Sequence, residues 1–198
     1  MLLKALLGGV LAAALDVLLL TVLHIEQWGG SSEPLHQALF QAFCLAALPE
    51  EFCKLVFLYL FIWKSQYFDE YYDGLEYAAC VGLGFAGLEN ILYVMQGGLG
   101  VAVSRALFAV PAHFFFAILM GYFFAFAKFI PSQKHLYLFL ALFIPVLLHG
   151  IYDFVLMYAE LIQTTGTSTA AILNLGFFIF FFFIWKLAKR KINNMVGK

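Results

Sequence analysis

Leu48-Pro49-Glu50-Glu51-Phe52-Cys53-Lys54-Leu55-Val56-Phe57 decides how the rest of the chain is read. Two adjacent carboxylates and a lysine sit in the middle of an apolar run covering about residues 35–63, long enough to cross a bilayer. An ionisable side chain at the bilayer centre costs roughly 2.5–3.5 kcal/mol. Three within five residues cannot be explained as a lipid-facing surface, so partners are expected elsewhere in the chain.

Composition sets the class. Of 198 residues, 64% are hydrophobic and only 12% charged, which excludes an ordinary water-soluble domain. Several runs of about 18 or more mostly apolar residues predict membrane-spanning helices. These runs are apolar all round, whereas the strands of a membrane β-barrel alternate. The expected fold is therefore all-α, a polytopic helical bundle in the lipid bilayer. It forms a single transmembrane domain over residues 1–198, with no room for a separate soluble one. A net charge of −1 argues against nucleic acid as a partner. Cys44, Cys53 and Cys80 lie in apolar runs without paired spacing and are read as small buried hydrophobes.

Working outward, six spans are predicted, over about residues 2–23, 35–63, 73–95, 101–126, 135–158 and 170–185. The first is too long for a signal peptide and is interrupted by Asp16, which is read as a packing or cavity-lining group. Pro49 predicts a kink or break immediately before the glutamates. Gly82, Gly84, Ala86 and Gly87 would let another backbone approach the third span closely. Of the eleven Lys and Arg, only Lys54 and Arg105 fall inside spans. The others lie at the two chain ends or in the loops after the second and fourth spans. The positive-inside rule then places both termini in the cytoplasm, and a plasma (inner) membrane is the expected location.

Four spans carry ionisable groups near their centres: Glu50, Glu51 and Lys54; Glu89; Arg105 and His113; His149 and Asp153. Six unpaired formal charges at that depth would cost roughly 15–20 kcal/mol, more than the net stability of a typical protein. They must face one another, hold a cation, lose charge or line a wet cavity. Glu50 and Lys54, like His149 and Asp153, are four residues apart and share a helix face. Lys54 and Arg105 are read as counter-charges, and His24, His36 and His135 as solvated groups at helix ends. From composition alone, a proton- or ion-coupled transporter explains the buried charges equally well, although no repeated halves are apparent.

The ordered motifs resemble those of the PrsW family of intramembrane proteases, and more distantly the CAAX prenyl endopeptidase/Abi group. The matching elements are Glu50-Glu51-Phe52-Cys53-Lys54, Asp73-Gly74, Gly84-Phe85-Ala86-Gly87-Leu88-Glu89-Asn90, Arg105 with Pro111-Ala112-His113 and Gly121, and His149-Gly150-Ile151-Tyr152-Asp153. Together they span residues 50–153. The resemblance implies peptide hydrolysis in a membrane-embedded protein substrate, with Glu50, Glu51, Glu89, His113, His149 and Asp153 as catalytic candidates. Two routes are open under it. In one, Glu89, His113, His149 and Asp153 ligate Zn²⁺ while Glu50 or Glu51 acts as general base. In the other, Glu50 and Glu89 hold the water while His149 and Asp153 bind the oxyanion, which Asp153 does only when protonated. The CAAX enzymes carry a neutral asparagine at that point, so Asp153 tilts the expectation toward a metal. No HExxH is present, which excludes the usual zincin site.

Overall fold

A computed structural model describes residues 1–24, 33–162 and 167–195 of the chain. Among the described residues every regular element is helical: α1 (Leu2–Leu23), α2 (Pro34–Phe40), α3 (Leu48–Ile62), α4 (Tyr71–Leu107), α5 (Ala109–Phe129), α6 (Lys134–Ile162) and α7 (Thr167–Met195). A π-helical stretch, Gln41–Ala47, joins α2 to α3, and a 3₁₀ turn, Pro131–Gln133, precedes α6.

Pro49 therefore does not break its helix. It stands in the first turn of α3, where a missing N–H is tolerated. The widened stretch directly before it relaxes the backbone that its ring would otherwise crowd.

Four helical stretches have the length and apolarity of membrane crossings: Leu2–Leu23, Tyr71–Phe129, Pro131–Ile162 and Ala171–Met195. The second, at 59 residues, would measure about 90 Å if straight, and it folds back instead. Gly98 adopts φ 74°, ψ −166°, which a glycine accepts without a Cβ penalty. Phe108 leaves the helical region again before α5. The early part of α4 then packs antiparallel to α5, with Gly74 against Gly121 and Gly82 against Ala117 and His113. The helix carrying Glu50, Glu51 and Lys54 lies outside the four apolar stretches.

Small residues set the closest crossing. A Cβ on Gly84 would run into the Leu6 carbonyl, and one on Gly9 into that of Val81, so α1 and α4 meet backbone to backbone. Gly87 faces open space and plays no such part. At the start of α4, Asp73 accepts hydrogen bonds from the Asp69 and Glu70 backbone N–H groups at 3.1 and 2.8 Å. These close a capping box with Glu70. The Asp73-Gly74 pair is thus architectural: a helix cap followed by a close crossing.

One end of the bundle gathers Met1, Trp63, Phe68, Phe129, Ile192 and Met195 into a single apolar cluster. Lys128 donates to the Trp63 carbonyl at 2.6 Å and Lys134 to the Tyr59 hydroxyl at 3.3 Å at this same end. Leucines along α1 and phenylalanines along α7 are exposed on the outside, as helices facing lipid require. Of the three cysteines expected to be buried, Cys53 is buried, Cys80 is partly buried and Cys44, in the π-helical stretch, is exposed. His24, His36 and His135 are all exposed at helix ends.

Candidate functional site

The polar side chains predicted to meet do meet. Glu50, Glu51 and Lys54 project from the first turns of α3, Glu89 from the middle of α4, Arg105 from its end, His113 from α5, and His149 and Asp153 from α6. Burial is deep: Glu51 is 0% and Lys54 1% exposed, and Glu50, His113 and His149 are also buried.

Contacts chain these groups together. Lys54 Nζ donates to Glu51 Oε1 at 2.7 Å and to Glu50 Oε2 at 3.3 Å, and lies 2.9 Å from His113 Nδ1. Since the ammonium only donates, His113 Nδ1 must accept. The proton of a neutral His113 then sits on Nε2, 2.8 Å from Glu89 Oε2. Arg105 reaches the same Glu89 oxygen at 2.9 Å and lies over the Tyr93 ring at 3.9 Å. His149 has a carboxylate at each nitrogen, Glu51 Oε1 2.9 Å from Nδ1 and Asp153 Oδ2 3.1 Å from Nε2. Two ionised acceptors are both satisfied only by an imidazolium. Phe116 stacks on His149 at 4.8 Å, and Phe85 supports Lys54 from 4.1 Å.

This pattern assigns the charges. Lys54 answers Glu51, Arg105 answers Glu89 and His149 answers Asp153. Glu50 is left without a counter-charge of its own, with Lys54 at 3.3 Å and His113 Nδ1 at 3.9 Å. Glu50 also lines a cavity of about 660 Å³, together with Glu89, Arg105, His113, His149 and Asp153. Glu51 does not reach that space.

A metal was expected on Glu89, His113, His149 and Asp153. Among the described residues the donors that gather are instead Glu50, Glu51, His113 and His149, with one donor atom from each within 4.8 Å of the others. Both histidines are common to the two sets. Glu89 and Asp153 sit on the far ring nitrogens of those histidines, the place from which an outer carboxylate orients an imidazole. Two carboxylates and two imidazoles suit zinc chemically, and buried Glu51 Oε2 has no hydrogen-bond partner.

The profile of the PrsW family, described as intramembrane metalloproteases, matches residues 1–186. The chain belongs to the PrsW family. Among its relatives, "Protease PrsW" of Geobacillus kaustophilus is 38% identical over 159 residues, covering 79% of this chain and 65% of the relative. The Oceanobacillus iheyensis protein of the same name is 42% identical over 143 residues, 72% of this chain and 66% of the relative. That of Bacillus subtilis is 40% identical over 136 residues, 68% and 60% of the respective chains. The matched part of this chain thus spans between 60% and 66% of these three relatives. No solved structure matches. None of these relatives carries a name pointing to ion-coupled transport.

Among the lining residues that sequence reasoning did not single out are Tyr93 and Tyr152. Tyr93 follows Glu89 by four residues and Tyr152 follows His149 by three, so helical spacing alone places each on the face of a site residue. Asp16 is buried on α1 with Oδ1 unpartnered, and is not among the cavity-lining residues.

Proposed function

We propose that this chain is an intramembrane endopeptidase that hydrolyses peptide bonds of membrane-embedded proteins, with Glu50 as general base. The observation that carries this reading is that Glu50 alone among the clustered carboxylates lacks its own cation while facing the cavity. Glu51, which the sequence left as an equal alternative, is held by Lys54 and His149 and serves to position them.

In this reading a water in the cavity gives its proton to Glu50 as its oxygen attacks the peptide carbonyl. Negative charge gathers on the carbonyl oxygen. Arg105, whose Nε has no partner, and the His149 imidazolium supply nearby positive charge. The C–N bond then breaks, and the proton held by Glu50 passes to the leaving amine. Glu89 orients His113 and keeps Arg105 at the cavity. If zinc is the cofactor, Glu51, His113 and His149 are the residues that would hold it, leaving Glu50 as the base, and it would acidify water and polarise the carbonyl.

Six spans with both termini in the cytoplasm remain the topology we propose. It is supported by the reversal between α4 and α5, and by the clustering of Met1 and Met195 at the aromatic-rich end that also holds Lys128 and Lys134. A plasma (inner) membrane location is proposed with it. The deciding experiment is cleavage of a helical membrane peptide by the full chain in liposomes. Wild type should cut and Glu50→Gln should not; flux of ions without cleavage of any peptide would sink the reading.

A further inference from the structure

A cation already stands among the donors that could hold a metal. Lys54 Nζ contacts Glu51 Oε1, Glu50 Oε2 and His113 Nδ1 at 2.7, 3.3 and 2.9 Å, three of the four residues in the tight donor group. The fourth, His149, directs Nδ1 at the same Glu51 oxygen from 2.9 Å. An ammonium has three N–H groups and no acceptor, so these three contacts saturate it. Lys54 thus already stands between three of the four donors that could hold an ion.

We infer that the Lys54 ammonium is the resident cation of this centre, and that a divalent ion takes its place only by displacing it. Two like charges cannot share one set of buried lone pairs, where screening by water is weak. Phe85 gives the displaced ammonium a retreat, since its ring already lies 4.1 Å from Nζ. The inference rests on the donor geometry and not on the peptidase reading. With Lys54 in place, Glu51 has its counter-charge and Glu50 keeps its access to the cavity.

The test is zinc titration of the detergent-solubilised full chain at fixed pH, read by calorimetry without any cleavage assay. Lys54→Met should bind one zinc ion about tenfold or more tightly than wild type, a difference of about 1.4 kcal/mol per tenfold. Adding His113→Gln to that variant should remove the gain. Lys54→Met should also melt lower than wild type without metal and recover on adding zinc. Where Lys54→Met proves too unstable to purify, Lys54→Gln keeps a donor for Glu51 and should show the same ordering. Equal zinc affinity in wild type and variant would overturn the inference, as would a gain that survives loss of His113. Failure of both variants to fold even with zinc supplied would overturn it too, because an ion able to replace the ammonium must restore the charge balance. Peptide cleavage by wild type is untouched by any of these outcomes.

Discussion

The two sides of the first turns of α3 carry the same functional group in opposite condition. On the packed side, Glu51 is fully buried and its Oε1 faces both Lys54 and His149. On the cavity side, Glu50 makes one longer contact with the shared ammonium and borders open space. Adjacent carboxylates on a helix point about 100° apart, and that rotation alone separates a structural acid from a reactive one. Within a membrane, an acid's role follows from which cation it holds and whether water reaches it.

Glu50→Gln offers the sharpest way to break this contrast. Peptide cleavage in liposomes should fall about 10³-fold, within the usual range for loss of a general base, while the melting temperature stays near that of wild type. Comparable activity in the variant would remove Glu50 from the chemistry. Glu51→Gln should act the other way, leaving Lys54 and His149 without their shared acceptor. Breaking a buried pair costs about 3–5 kcal/mol, so denaturation in detergent should show a large loss of stability. An unchanged midpoint would mean that the packed side is not structural.

Arg105→Lys keeps the positive charge but loses the planar group that reaches Glu89 while stacking on Tyr93. A fall in kcat/KM of about tenfold with little change in stability is expected, since the charge is kept but moved from the carbonyl oxygen it would stabilise. Gly84→Ala drives a methyl group into the Leu6 carbonyl and should cost about 1–3 kcal/mol by overpacking. Pro49→Ala should give the smallest effect, lowering turnover more than stability. A larger loss of stability than of activity would show that the proline shapes the fold instead of the site.

Much of this was legible in the sequence because charge in lipid is so costly. Glu50, Glu51, Glu89, His113, His149 and Asp153 had to find one another, and motif order named the spans that bring them together. Direction within the cluster was not legible. Spacing cannot tell which ring nitrogen of His149 meets Glu51, nor that Glu89 and Asp153 stand behind the histidines. Asp73-Gly74 read as part of the motif set, yet its work is to cap α4 and admit α5, which depends on a neighbour distant in the chain. The π-helical stretch also left no mark. Gln41–Ala47 is ordinary in composition, and its widening shows only in which carbonyl each N–H meets.

That widened stretch also sets how the segment tolerates insertions and deletions. Phe43 lies within it, and its ring occupies the space that any side chain at Gly150 would need, one residue from His149. Removing one residue between positions 41 and 47 would let the stretch close into regular α-helix, with Glu50 and Glu51 keeping their orientation while the outer turns of α2 swivel. The same removal between Glu50 and Lys54 would spin the ammonium about 100° away from its carboxylates. Length variants on either side of Leu48 should therefore separate into viable and dead classes, with the boundary just before the glutamates.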